Sequence, residues 1–213
     1  MIAAARQPPK QDRARQTQGR LLDVAGDLLA EVGLDRISTN MIAARAGLTP
    51  PALYRYFDDK YAMIEALGRR LMARQNAVLE NWIARHAAGG IAGMADHIGD
   101  LLADNAAVTR AEPGAVWILR ALHASPQLVH VRLESHRHVT GRLTDACVPF
   151  LPGIDRERLW SRLRLAVELG FAADEMLYEE GRVSAGVVRA EVAAMLRASL
   201  LDLLRPPPAC GRG

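Results

Sequence analysis

Apolar residues recur along this chain at helical spacing, with no strand-like alternation of useful length and no internal repeat. Residues 13–32 read as a first helix, with Leu21, Leu22, Ala25, Leu28, Leu29 and Val32 on one face. Gly33 follows and offers a left-handed residue to end it. Ser38 or Thr39 then caps a short second helix over 40–46, which turns Ile42, Ala43 and Ala46 inward and closes at Gly47. Thr49 precedes Pro50 and Pro51, and proline is tolerated in a first helical turn, whose N–H groups have no partner within the helix. The spacing thus predicts a third helix over 50–56 that buries Leu53 and Phe57, and a fourth, capped by Asp58 or Asp59, that reaches His86.

The run Ala88-Gly89-Gly90 breaks the pattern. Five further helices are expected at 91–109, 114–124, 126–150, 155–180 and 185–204, punctuated by Pro113, Pro126, Pro149, Pro152 and Gly181. The expected fold is all-α. It divides into a disordered basic arm at 1–12, a small three-helix domain at 13–60, a larger helical domain at 61–205 and a loose Pro/Gly-rich tail at 206–213.

Composition narrows the picture. Half of the 213 residues are apolar, enough to bury a real core. The formal charge is only +3, yet Arg6, Lys10, Arg13, Arg15 and Arg20 face the single acid Asp12 near the start. Such a cluster suits a nucleic-acid backbone or an anionic membrane surface, or is simply a solvated tail. Cys147 and Cys210 have no metal-type spacing and fit a reducing cytosol. The N-terminus lacks an apolar signal core, and no stretch approaches the roughly 18 apolar residues of a membrane span. A cytoplasmic protein without a membrane partner is expected.

Two short helices joined at Gly47 fit a helix-turn-helix, in which the second helix enters the major groove. A helix pair around glycine is common, and the surrounding residues carry more. Thr39 at a helix start can donate to phosphate with the positive end of the helix dipole behind it. Tyr54 and Tyr56 sit poorly in so small a core and can reach phosphates through their hydroxyls, although Tyr54 can equally pack against the first helix. Lys60 opens the fourth helix and suits a phosphate too. Asn can read adenine, Arg guanine, and Pro or Ala a thymine methyl.

The stretch from Gly33 through Ser38-Thr39-Asn40-Met41-Ile42-Ala43, Ala46-Gly47-Leu48-Thr49 and Leu53-Tyr54-Arg55-Tyr56-Phe57 to Lys60 closely resembles the DNA-binding domain of the TetR family. The resemblance covers about residues 15–65. It departs at Pro51 and Tyr56, where many family members carry Gly and His. It implies that Thr39, Thr49, Tyr54, Tyr56 and Lys60 face phosphates, and that Asn40, Pro50, Ala52 and Arg55 face bases. It further implies a transcriptional repressor, homodimeric on a palindromic operator and released by a small molecule.

The last two helices are apolar on more than one face, whereas a helix on a monomer's surface needs a single apolar stripe; full burial inside a monomer core is the alternative, open to one of them more readily than to both. In the family the last two helices of each subunit pair into a four-helix interface. The residues expected there are Leu159, Leu163, Val167, Val188, Val192, Met195, Leu196 and Leu200. The effector pocket is expected among Met94, His97, Ile98, Leu101, Trp117, Leu119, Arg120, His123, His138 and Met176, with Trp117 also readable as plain core. No metal site is expected: His136 and His138 point to different helix faces, His130 lies two turns from His138, and no Cys or carboxylate completes a set. No cofactor is expected. Phosphate-binding glycine loops and nucleophile elbows are absent, so an enzyme is not expected. A helical dimeric interaction protein and a transcriptional activator are the alternatives.

Overall fold

The computed structural model describes residues 9–205, and every regular element among them is helical. The helices are α1 (Pro9–Arg36), α2 (Thr39–Arg45), α3 (Pro50–Leu53), α4 (Lys60–His86), α5 (Gly90–Asp96), α6 (Ile98–Ala111), α7 (Ala115–Ala124), α8 (Val129–Cys147), α9 (Arg156–Glu179) and α10 (Ala185–Leu201). Short 3-10 turns follow α4, α8 and α10. The loose segments expected at 1–8 and 206–213, with Arg6 and Cys210, lie outside the described residues. Residues 9–12, expected in the arm, begin α1.

The chain forms two units, and their boundary differs from the expected one. The first unit comprises the residues up to Leu71 together with Arg110–Arg132; the second comprises Met72–Thr109 and the chain from Leu133 onward. The division therefore falls inside α4 rather than at residue 60, and α7 belongs with the first unit. The reason is packing. The apolar face of α7 (Ala115, Ile118, Ala121, Leu122) is buried, and α7 seats on α1. Arg70 of α4 ties the pieces together: its Nη1 donates to Asp23 Oδ1 (2.6 Å) and its Nε to Oε1 of the buried Glu112 (3.1 Å).

Within the first unit, α1 carries Leu21, Leu22, Ala25, Leu28 and Leu29 inward, as its periodicity predicts. At Gly33 the helical path breaks with φ +75° and ψ 173°, a conformation glycine adopts without a Cβ penalty. A Cβ there would also approach Cζ2 of Trp117 to 3.2 Å.

The second unit has its own core. Leu79, Trp82, Ile91, Met94, Ile98, Leu101, Leu159, Leu163, Val192 and Leu196 all belong to it, and α10 packs on both α5 and α9. The helix expected at 91–109 is two helices. His97 departs from helical geometry (φ −109°, ψ 14°), and its carbonyl accepts a hydrogen bond from Trp82 Nε1 at 2.8 Å. A buried indole N–H and a main-chain carbonyl thus satisfy each other at the break.

Candidate nucleic-acid interface

The turn between α2 and α3 is built by local rules. Ser38 caps α2, its Oγ accepting from Met41 N at 3.3 Å. Gly47 ends the helix at φ +67°, with Gly47 N donating to Ala44 O (3.1 Å) and Leu48 N to Ala43 O (2.9 Å). These two bonds make a Schellman motif, which only a residue at ease in the left-handed region completes cheaply. Arg20 of α1 donates to Ala46 O at 2.8 Å and so fixes the turn on the first helix. That contact gives Arg20 a structural task within the basic N-terminal cluster. Ile42, Ala43, Leu53 and Phe57 are buried beneath the turn.

The outer face holds the residues expected to meet DNA. Asn40, Thr49, Pro50, Tyr54 and Arg55 are exposed, and Thr39, Ala52, Tyr56 and Lys60 half-buried. Thr39 Oγ1 and Tyr54 Oη lie 3.0 Å apart. Thr49 is the N-cap residue of α3, yet its hydroxyl makes no capping bond. Lys60 Nζ reaches Leu34 O at 3.4 Å and lies 5.6 Å from the Tyr61 ring centroid. Asp59 caps α4, its Oδ1 accepting from Ala62 N at 2.8 Å. Arg45, which sequence reasoning did not single out, pairs with Glu31 through two hydrogen bonds of 3.0 and 2.7 Å. That bonding holds the Glu31 carboxyl below the usual carboxylate range.

The second unit contains a cavity of about 80 Å³ between α6, α8, α9 and α10. Its walls are apolar (Leu102, Val139, Leu143, Leu163, Phe171 and Leu203 among them), and its polar residues are Asn105, Arg162, Asp174 and Ser199. Arg162 is already engaged, donating to Ser199 O (2.9 Å) and Asp202 Oδ2 (2.7 Å). Asn105 Oδ1 is buried and finds no partner.

Comparison with known proteins turns on the first of these sites. Residues 21–67 match the family model described as bacterial regulatory proteins, tetR family. The helix-turn-helix segment is thus similar to that of the tetR family. The class A tetracycline repressor protein of transposon 1721 from Escherichia coli is 39% identical over 56 residues, 26% of either chain. The match thus spans about a quarter of that relative's length. A TetR-family regulator from Streptomyces coelicolor is similar over nearly its whole length: 26% identity, 88% of this chain and 99% of that one, TM-score 0.61. Thermus thermophilus FadR, a TetR-family transcriptional repressor solved with lauroyl-CoA, shares the fold at 15% identity over 92% of this chain and 99% of its own, TM-score 0.55.

The residues expected in the pocket scatter. Ile98 and Leu101 line the cavity. Met94 is buried in the second unit's core away from it, His97 and His138 are exposed, and Met176 is an exposed residue of α9. Trp117, Leu119, Arg120 and His123 stand on α7 in the first unit, where Trp117 packs on Gly33 and the Arg120 guanidinium lies 5.2 Å from its ring centroid. Trp117 is half-buried there and does not line the cavity of the second unit.

The expected interface residues mostly turn inward. Leu159, Leu163, Val167, Val188, Val192, Leu196 and Leu200 are buried within this one chain, and Leu163, Val167, Leu196 and Leu200 line the cavity. Met195 alone of the eight is exposed. The second apolar stripe does exist, displaced around each helix. Leu165, Leu169, Ala172 and Met176 are exposed on α9 at i, i+4, i+7 and i+11. Val187, Ala190, Ala194, Met195 and Ala198 are exposed on α10. Among the described residues no helix is long and apolar enough to cross a membrane.

Proposed function

We propose that this chain is a cytoplasmic transcriptional repressor that binds a palindromic operator as a homodimer and releases it when a small molecule enters the second unit. The observation that carries the reading is the outer face of α2 and α3. Groups suited to phosphate (Thr39, Thr49, Tyr54, Lys60) accompany groups suited to base edges (Asn40, Arg55), all held about a turn closed by the Gly47 and Leu48 main-chain hydrogen bonds. One short recognition helix reads few base pairs, and two-fold pairing supplies a second half-site.

Support for pairing comes from the exposed stripes of α9 and α10. Large apolar residues at helical spacing on two packed helices form a patch that water solvates poorly. Support for a ligand comes from the cavity and from the lauroyl-CoA held by the Thermus thermophilus relative. At about 80 Å³ the cavity is smaller than the ~300–1,000 Å³ of common ligand sites, so an effector must widen it. A ligand that prefers the widened state shifts the equilibrium by its differential affinity alone.

Selection of bound duplexes from random DNA tests the reading. The expected result is an enriched inverted repeat, protected from nuclease and matching sequence near the gene's own promoter. Recovery of no sequence preference at moderate salt overturns it.

A further inference from the structure

At the break between α5 and α6, three side chains that DNA binding leaves unused come together. His86 ends α4, His97 sits at the break, and Asp100 lies in the first turn of α6. One ligand atom from each lies within 4.8 Å of the others. The two imidazole rings stack with centroids 4.0 Å apart and planes at 20°, and His97 Nδ1 lies 3.0 Å from Asp100 Oδ2. His86 Nε2 is buried without a hydrogen-bond partner. A ring nitrogen carries either a proton or a lone pair, and leaving either one dry is costly.

We propose that His86, His97 and Asp100 bind a divalent transition-metal ion of the zinc, cobalt or nickel type. Two imidazole nitrogens and one carboxylate oxygen are a borderline donor set, suited to these ions; calcium and magnesium prefer oxygen ligands throughout. Metal–ligand bonds of about 2.0–2.2 Å place tetrahedral ligands about 3.4 Å apart. The present atoms lie within 4.8 Å of one another, so side-chain rotations close the set.

Parallel stacked rings cannot both aim a nitrogen in-plane at one ion, so one must turn. His97 is the one that turns, because its side chain is 48% exposed. His86 is held, tilted beside the fully buried Trp82 with ring centroids 5.8 Å apart. The backbone under His97 is fixed by the Trp82 hydrogen bond to its carbonyl. Neighbouring charges are already matched: Arg85 pairs with Asp104 and Arg197 with Asp96. Three protein ligands leave a fourth position for water, the arrangement of an exchangeable site rather than a closed structural one. Sequence reading missed the cluster because its members are spread over the end of α4, the break and α6, and the histidines it weighed for a metal, His130, His136 and His138, lie elsewhere.

The test uses tag-free, full-length protein stripped with a chelator and titrated with Co²⁺. One equivalent is expected to bind in the micromolar range, with visible d–d absorbance that Zn²⁺ abolishes by displacement. Trp82 emission should be quenched in step. His97→Ala and His86→Gln should each weaken binding at least tenfold, and the exposed His97 position keeps the first variant folded. His138→Ala, an exposed histidine 3.6 Å from Glu80, should change nothing. Absence of saturable Co²⁺ binding, or wild-type affinity in folded His97→Ala, overturns the proposal whatever the outcome for DNA.

Discussion

The hydroxyls of Thr39 and Tyr54 lie 3.0 Å apart, joining the first residue of α2 to the residue that closes α3. One group donates and the other accepts, so the pair keeps one hydroxyl proton and spare lone pairs for a phosphate. Tyr54→Phe should weaken operator and random DNA alike, with little change in salt slope because no charge is lost. Thr39→Val should cost less in the Tyr54→Phe background than alone, since the two share one network. Binding isotherms for the four proteins on both duplexes measure this, and strictly additive losses would show the hydroxyls to act separately.

Asn40 and Lys60 should fail in different ways. Asn40→Ala should cost roughly 1–3 kcal/mol on the operator, far less on random DNA, and relax preference at particular base pairs. Lys60→Ala should weaken both and reduce the salt slope by about one unit. Lys60 also donates to Leu34 O, so its variant's melting temperature must be checked beside the DNA titration. The salt slope of Arg55→Ala reports whether that exposed guanidinium meets a base or a phosphate. An unchanged operator preference in Asn40→Ala, with preference lost in Lys60→Ala, would reverse the two assignments.

The two stripes of α9 should respond oppositely to charge. Leu169→Arg introduces its guanidinium on the exposed stripe and should give a folded monomer that no longer binds the operator. Leu163→Arg places the same group in the buried core and should unfold or aggregate the chain. Sedimentation equilibrium and thermal melts separate the outcomes. A Leu169→Arg protein that remains a dimer of wild-type affinity excludes this face as the interface.

Gly33→Ala should lower stability by about 1–3 kcal/mol, because its positive φ is strained for any L side chain and its Cβ would press on the Trp117 ring. The urea midpoint and Trp emission read this together. A neutral substitution would mean that α1 ends without the break.

Burial pushes the Cys147 thiol up to about 11, so little thiolate forms at neutral pH. In a Cys210→Ser background, a thiol reagent should modify nothing in the native protein and one group in denaturant. Labelling much faster than global unfolding would expose a local opening near Cys147.

The helix-turn-helix was legible in sequence because its signals are local: a serine cap, a glycine in the left-handed region, a threonine before two prolines. The inward and outward faces of α9 were not. Leu163 and Leu165 are equally apolar and two positions apart, and only the packing of α10 on α9 decides which turns inward. The neighbour of Trp117 was hidden for a similar reason, since Gly33 is far away in the chain. The break at His97 carries no glycine or proline; it is fixed by Trp82 reaching across from α4.

The first unit is encoded in two separated pieces, the residues up to Leu71 and Arg110–Arg132. During synthesis, α1 to α3 emerge well before α7, whose apolar face covers α1, and before Glu112, which receives Arg70. The DNA-reading turn therefore reaches its final stability only after about sixty more residues have left the ribosome. A nascent or truncated chain that stops near residue 71 keeps the reading residues but lacks the later segment that packs beneath them.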